Sequence, residues 1–271
     1  MASGEENELD VVLAAVRASS GIEFRDYART TLQRRIDEVV RAEGLTGRGA
    51  LGELAARDPA VAARVVAALC VSVTSMYRDP DFWRAYREKA VPLLSGNGGV
   101  RAWHAGCATG EEVWSHAIVL HEAGLGSTAR FYGTDLSAAA LLPAQRGLLP
   151  LDRMREYIAA HYRAGGLADF SEYYATDGAS AVVRSFLRRN AAFGRHDLAA
   201  GERLGLFDVV FCRNVLIYFD ARLQERVHGL LAGSLRAGGI LALGHGEALP
   251  AASREAYVTL DERTKLFARR A

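Results

Sequence analysis

The sequence predicts an α/β fold: a mostly parallel sheet covered by helices on both faces, preceded by a small all-helical domain. Three observations predict it. Residues 6–94 carry apolar side chains at helical spacing, with no strand pattern between them. SGNGG, Ser95 to Gly99, is a turn-rich break. Beyond it, short apolar runs alternate with helical stretches, as in strands joined by crossover helices. The expected domains are 1–94 and 95–271.

In the first domain, YARTTLQRRIDEVVRAEG (Tyr27 to Gly44) puts Leu32, Ile36 and Val39 or Val40 on one helix face. Arg29, Arg34, Arg35 and Arg41 lie elsewhere around the wheel, and the helix stops at Gly44. AVAARVVAALCV is a further helix, and DPDFWRAYREKAVPLL opens with an Asp-Pro start signal. In the second domain VRAWHAG, ARFYGTDL, NAAFGRHDL, FDVVFCRN and ILALGHGEAL read as strands. GEEVWSHAIVLHEAG, SAAALLPAQRG and ARLQERVHGLLAGSLRAGG read as helices. Residues 151–190 interrupt the alternation: an aromatic cluster with little clean periodicity, read as an insertion with short strands.

Composition narrows the function classes. Half of the 271 residues are hydrophobic and 24% are charged, enough for a substantial core. A net charge of +1 argues against a general nucleic-acid coat. Cys70, Cys107 and Cys212 are far apart with no CxxC pair, which argues against a structural zinc or a disulfide framework. No apolar run approaches the ~20 residues that span a bilayer. The acidic start MASGEENELD lacks the basic region of a signal peptide. These features predict a soluble protein of the reducing cytoplasm; nothing in them demands more than a monomer.

The chemistry gathers where strands end. Val209, Val210 and Phe211 form a buried run, yet Arg213 and Asn214 follow at once, with Tyr218 beyond. In open α/β sheets that rim binds ligands. HAGCATGEE sets a glycine loop, beginning at Gly106, between a strand and a helix. It is neither GxGxxG nor GxxxxGK[ST]. Glu111 and Glu112 would repel a pyrophosphate and attract a cation such as an ammonium or sulfonium; they are equally ordinary acids of a helix start. Asp135 ends the second strand, where an acid accepts ribose hydroxyls or caps the next helix. Asp197 follows another strand, as an acceptor for an adenine amino group or a surface acid. His104 and His245 lie near strand ends without metal-ligand spacing and read as packing; no metal is expected. Cys212 reads as a small buried hydrophobe.

VTSMYRDPDFW, HAGCATGEEVWS, YGTDLS, FCRNVLIYFD and GHGEAL, in that order, carry a family resemblance over nearly the whole chain. The sequence resembles the CheR-type, S-adenosylmethionine-dependent protein-glutamate O-methyltransferases of bacterial chemotaxis. The resemblance implies a helical N-terminal domain and a Rossmann-like class I methyltransferase domain with a small β insertion. It implies that Ser72, Thr74 and Arg78 reach the cofactor, that Gly106 lies against it and that Glu112 binds its amino group. By the same resemblance Asp135 holds the ribose, Asp197 and Leu198 flank the adenine, and Arg213 and Asn214 line the cofactor. Arg78 and Tyr218 fall closest to the reaction. The arginines of Tyr27–Gly44 would contact the acidic methylation region of a chemoreceptor's cytoplasmic domain; their alternative is a solvated helix face. Four positions depart from the family: Ser72, Trp114, Asp197 and the second glycine of GHGEAL. The segment FSEYYATDGASAVV shows no regular three-strand pattern, which counts against receptor-peptide docking there.

A glutamate side chain is already a nucleophile at neutral pH, its ordinary pKa being about 4.3. Methyl transfer to it needs alignment and exclusion of water rather than a strong base. S-adenosylhomocysteine would be the product. Arg78 would orient a carboxylate and Tyr218 the methyl group or substrate; alternatively Arg78 pairs with Asp79 or Asp81 and Tyr218 packs. Two other functions compete: a catalytically weak S-adenosylmethionine-binding sensor or scaffold, and a small-molecule carboxyl methyltransferase.

Overall fold

The structure is a computed structural model that describes residues 2–96, 98–176 and 178–270. The chain divides into two units: Met1–Val71 with Ile217–Gln224, and Ser72–Leu216 with Glu225–Ala271.

The first unit holds α1 (Ala2–Ser20), α2 (Arg29–Ala42), α3 (Arg48–Arg57) and α4 (Pro59–Leu69). Leu32, Ile36 and Val39 are the buried stripe of α2, as their spacing predicts. They join Leu9, Val12 and Val16 of α1 and Val61 and Val65 of α4 in the core. Gly52 lets α1 and α3 approach closely, since a Cβ there would lie 2.8 Å from Val11 Cγ1. Asp58 caps α4 by accepting the Ala60 N–H, with Pro59 as the first helical residue. The segment 217–224 belongs here: Ala28 N–H donates to the Tyr218 carbonyl at 2.8 Å, and the Tyr27 and Phe219 rings meet at 4.9 Å.

The second unit opens with α5 (Pro80–Ala85), a π-helical turn (Tyr86–Ala90) and α6 (Val91–Leu94). The main elements continue as β1 (Arg101–Ala105), α7 (Glu111–Glu122), β2 (Arg130–Asp135), α8 (Ala138–Arg146), β3 (Leu148–Leu149) and α9 (Met154–Arg163). Then come β4 (Tyr174–Thr176), β5 (Ala181–Val183), α10 (Ser185–Arg188), β6 (Ala191–Arg195) and β7 (Phe207–Cys212). The chain closes with α11 (Ala221–Ser234), β8 (Leu235–Leu243), β9 (Tyr257–Asp261) and β10 (Leu266–Arg269). Seven strands form a sheet in the order β6-β2-β1-β7-β8-β10-β9. The first five are parallel, and β10 runs antiparallel to β8 and to β9. The winding reverses between β1 and β7, so a crevice opens past their C-terminal ends.

Four sequence expectations need correction. Residues 72–94 pack in the second unit, because Phe82 and Trp83 of α5 and Tyr86 meet the Phe211 ring of β7 at 5.4–5.9 Å. The helix read through Gly239 stops at Ser234, where β8 begins. The insertion does carry three strands: β3, β5 and β4 form an antiparallel sheet that begins at Leu148, before residue 151. The edge strands β9 and β10 were not expected.

Glu122 of α7 fastens the insertion. Its Oε1 accepts the N–H of Leu167 at 2.8 Å and the Tyr173 hydroxyl at 2.9 Å, and Oε2 meets Arg87. His161 takes the Tyr77 hydroxyl on Nδ1 at 3.0 Å and donates from Nε2 to the Ala168 carbonyl at 3.0 Å. Burial holds His161 below its ordinary pKa, holds His116 well below it, and brings His228 down to about 4. All three are neutral in the fold, while the unfolded chain charges them near pH 6.5. Below that pH the unfolded state binds more protons. Stability is therefore complete above pH 6.5 and falls as pH drops, by about 1.4 kcal/mol per unit for each histidine kept neutral. Urea midpoints measured from pH 7 to 4 should decline; a flat profile would contradict the buried neutral histidines.

Candidate functional site

β1, β2, β6 and β7 end at one edge of the sheet, in register at His104↔Gly133, Thr134↔Gly194 and His104↔Phe211. The loop after β1 is shaped by left-handed backbone at Gly106 (φ 76°), Ala108 (φ 48°) and Gly110 (φ 94°). The N–H groups of Gly106 and Cys107 both donate to the Thr134 carbonyl, at 2.8 and 2.9 Å. Ala108 N–H donates to Asp135 Oδ2 at 2.8 Å, and Asp135 Oδ1 accepts the Ser137 N–H at 2.8 Å. The half-buried Asp135 thus joins loop to strand as well as facing the rim. Burial raises its pKa, and the N–H groups of Ser137, Ala108 and Leu136 offset part of that rise.

The two glutamates of the loop diverge. Glu111, 2% exposed, takes the hydroxyls of Thr109 at 2.6 Å and Tyr157 at 3.3 Å. Glu112 instead accepts from His104 Nδ1 on Oε1 at 2.9 Å and lies 3.4 Å from Arg213 Nη1 through Oε2. Burial raises the Glu112 carboxyl, but the hydrogen bond from His104 and the Arg213 guanidinium outweigh it and leave it below the ordinary value.

Arg213 follows β7 and is 6% exposed. It donates to Asp79 Oδ2 at 2.8 Å, and its guanidinium sits 3.8 Å from the Phe82 ring centre. Asn214 adopts φ 60°, which aims the N–H groups of Asn214, Val215 and Leu216 at one carboxylate, that of Glu247, at 3.1, 2.8 and 2.7 Å. Gly244 N–H adds a fourth bond at 2.6 Å. Asn214 Oδ1 is buried without a partner among the described residues.

Upstream, Tyr77 and Asp79 hold φ 51° and 56° on either side of Arg78, and Tyr77 N–H is anchored on Ser115 Oγ at 2.8 Å. Arg78 makes neither of the alternative ion pairs, to Asp79 or Asp81. It donates to the Val73 carbonyl at 2.9 Å, while Asp79 goes to Arg213 and Asp81 to Arg84 and Arg263. Ser72 and Thr74 are half-buried, and the Thr74 carbonyl accepts from Arg153 at 2.7 Å. The half-buried Asp197 caps the short turn Leu198–Ala200 through the Ala199 N–H at 2.8 Å, and Leu198 is buried. His104 and Cys212 are fully buried as expected, but His245 is exposed.

The second unit thus brings Arg78, Gly106, Glu112, Asp135, Asp197, Arg213 and Asn214 to the same strand ends. Tyr218, Arg29, Arg34, Arg35 and Arg41 lie in the helical unit. There Arg29 pairs with Asp10 and Arg35 with Glu38, whereas Arg34 and Arg41 are exposed. Sequence reasoning gave no role to Glu247, and to Asp79 only that of an alternative partner for Arg78. Glu247 was visible as the acid of GHGEAL, and Asp79 as a neighbour of Arg78.

Residues 72–265 match the CheR methyltransferase SAM-binding domain, and residues 7–70 match the CheR methyltransferase all-alpha domain. The chain belongs to the CheR methyltransferase family. It is 38% identical to the Pseudomonas putida protein Cher3 over 242 residues, 89% of each chain. It is 27% identical to chemotaxis protein methyltransferase 1 of Pseudomonas aeruginosa, over 91% of this chain and 92% of that one. A chemotaxis protein methyltransferase of Listeria monocytogenes is 27% identical over 86% of each chain. As a CheR methyltransferase the chain is an enzyme whose cofactor is S-adenosylmethionine. The donor set at the strand ends fits that cofactor: two carboxylates for an ammonium and ribose hydroxyls, and a buried acceptor, Asn214 Oδ1, that no described group satisfies. Among the described residues no helix is long and apolar enough to cross a membrane.

Proposed function

We propose that this chain methylates glutamate side chains in the cytoplasmic domain of a methyl-accepting chemoreceptor, as a cytoplasmic enzyme of chemotaxis adaptation. The relatives named chemotaxis protein methyltransferases support the pathway. The observation that carries the substrate class is that the buried titratable groups beside the strand ends are already engaged or held in inert forms. Burial keeps His116 neutral, and His104 is bonded on both ring nitrogens, to Glu112 and His116. Glu247 is filled by backbone N–H groups, and burial pushes the Cys107 and Cys212 thiols up. Such an edge suits a nucleophile that needs no deprotonation, and a carboxylate is one.

The cofactor supplies an electrophilic methyl group on a sulfonium. In this reading Glu112 takes its α-ammonium and Asp135 its ribose hydroxyls, with Asp197 and Leu198 flanking the adenine and Asn214 lining the cofactor. Gly106 admits the cofactor close to the backbone, Arg213 fixes Glu112, and Ser72 and Thr74 complete the lining. Arg78 orients a carboxylate, and Tyr218 positions the methyl group or the substrate. Arg34 and Arg41, the exposed pair of α2, meet the acidic receptor region, together with Arg29 and Arg35.

Isothermal titration with S-adenosylmethionine and S-adenosylhomocysteine, followed by tritiated-methyl transfer to receptor fragments, tests this. Asp135→Ala should abolish binding. Arg78→Ala should bind cofactor yet lose about ten-fold or more in transfer. Full turnover in Arg78→Ala would remove that role, and binding with no label transfer to any receptor fragment would leave a sensor in place of an enzyme acting on receptors.

A further inference from the structure

A line of hydrogen bonds runs inward from Glu112. Oε1 meets His104 Nδ1 at 2.9 Å, His104 Nε2 meets His116 Nδ1 at 3.0 Å, and His116 Nε2 meets the Tyr86 hydroxyl at 2.7 Å. His104, His116 and Tyr86 are each 0% exposed. The rings are held by packing: His104 stacks on Phe211 at 4.4 Å and 15°, and His116 lies 4.7 Å from Phe211 and 5.3 Å from Phe131.

One arrangement of protons satisfies every polar atom on the line. Tyr86 donates to His116 Nε2, His116 donates from Nδ1 to His104 Nε2, and His104 donates from Nδ1 to Glu112. The reverse polarity needs either an imidazolium at His104 or a protonated Glu112, and it strands the Tyr86 proton in an aromatic core, where an unmade hydrogen bond costs about 1–3 kcal/mol. Burial favours neutral forms of both His116 and Tyr86.

We propose that His104, His116 and Tyr86 are positioning residues for cofactor recognition: they occupy and fix Glu112 Oε1 from inside, so that Oε2 is the oxygen presented to the cofactor's α-ammonium. The proposal rests on the reading that Glu112 binds that ammonium. A carboxylate on three rotatable bonds loses rotamer freedom when it orders, and a relay packed into the core takes that loss at folding rather than at binding. It also explains why two histidines lie buried on adjoining elements, β1 and α7, where the described residues form no group that could hold a metal ion.

The test compares two ligands that differ at the relevant end. S-adenosylhomocysteine carries the ammonium; 5′-methylthioadenosine keeps the adenosine and lacks it. Affinities for both would be measured by calorimetry in the wild type, His104→Phe, Tyr86→Phe and Glu112→Gln. His104→Phe keeps the ring against Phe211 and removes the donor. It should weaken S-adenosylhomocysteine about ten-fold and leave methylthioadenosine unchanged. Tyr86→Phe should produce the same selective loss at about two-fold, and it serves should His104→Phe fail to fold. Nitrogen-15 spectra of the wild-type imidazoles should show both His104 and His116 protonated on Nδ1. Equal loss for the two ligands, or an Nε2–H tautomer at either histidine, would overturn the relay. A selective loss in Glu112→Gln without one in the relay variants sinks the relay alone. No selective loss in Glu112→Gln sinks the ammonium reading and the relay with it.

Discussion

Glu247→Ala is expected to destabilise the second unit by about 4 kcal/mol or more and to abolish cofactor binding. Glu247 is 5% exposed, and its carboxylate accepts from Asn214, Val215, Leu216 and Gly244. Each buried N–H left without an acceptor costs about 1–3 kcal/mol. The four donors lie side by side, so their dipoles also repel once the anion is gone. Glu247→Gln is the sharper variant. It keeps an acceptor on one oxygen and turns an NH₂ group toward N–H donors on the other, so it should recover only part of the loss. Urea unfolding of both variants, with calorimetric titration of S-adenosylmethionine, decides the matter. An alanine variant within about 1 kcal/mol of wild type would mean that the rim holds its shape without the anion.

That rim shows where a sequence can be read and where it cannot. β7 was legible because FDVVFC is apolar on both faces, all six residues are buried, and the polar pair Arg213-Asn214 marks its end. Asp135 and Glu112 were legible for the same reason: they sit at the ends of apolar strands or the starts of helices, positions that local pattern defines. Glu247 was not, since three of its four partners lie 31 to 33 residues upstream and only the parallel pairing of β7 with β8 brings them together. The same holds for His116 and Tyr86, 30 residues apart. Periodicity also misplaced the domain boundary. It reports that α5 has an apolar face, and Phe82 and Trp83 do; it cannot report that the face covers Phe211. The insertion strands, two or three residues each, are too short to show an alternating pattern. LRAGG at the start of β8 has a glycine at φ 73° that reads as a helix stop and here lies within a strand.

Gly106→Ala is the second large effect, and it separates two causes. Gly106 holds φ 76°, where an alanine is strained by about 1–2 kcal/mol. A Cβ there would also overlap the Val215 Cγ2 methyl. Valine is stiff about χ1, so the methyl cannot rotate aside cheaply, and overpacking of this kind costs about 1–3 kcal/mol. Either the loop or the segment after β7 must shift. The loop is held by the Gly106 and Cys107 N–H groups on Thr134 and by Ala108 on Asp135, so a shift there breaks the bonds that shape the proposed ribose site. The expected result is a loss of about 3 kcal/mol in stability and at least about ten-fold in affinity for S-adenosylmethionine. Adding Val215→Ala removes the overlap and leaves the backbone strain. In a double-mutant cycle the pair should therefore be less destabilised than the sum of the single changes, by about the overpacking cost. Strict additivity would show that the whole penalty is torsional, and affinity should then stay low in the double variant. Recovery of both stability and affinity would show that the glycine is required for the space beside Val215, and that the left-handed turn is a consequence of the close approach of the two loops.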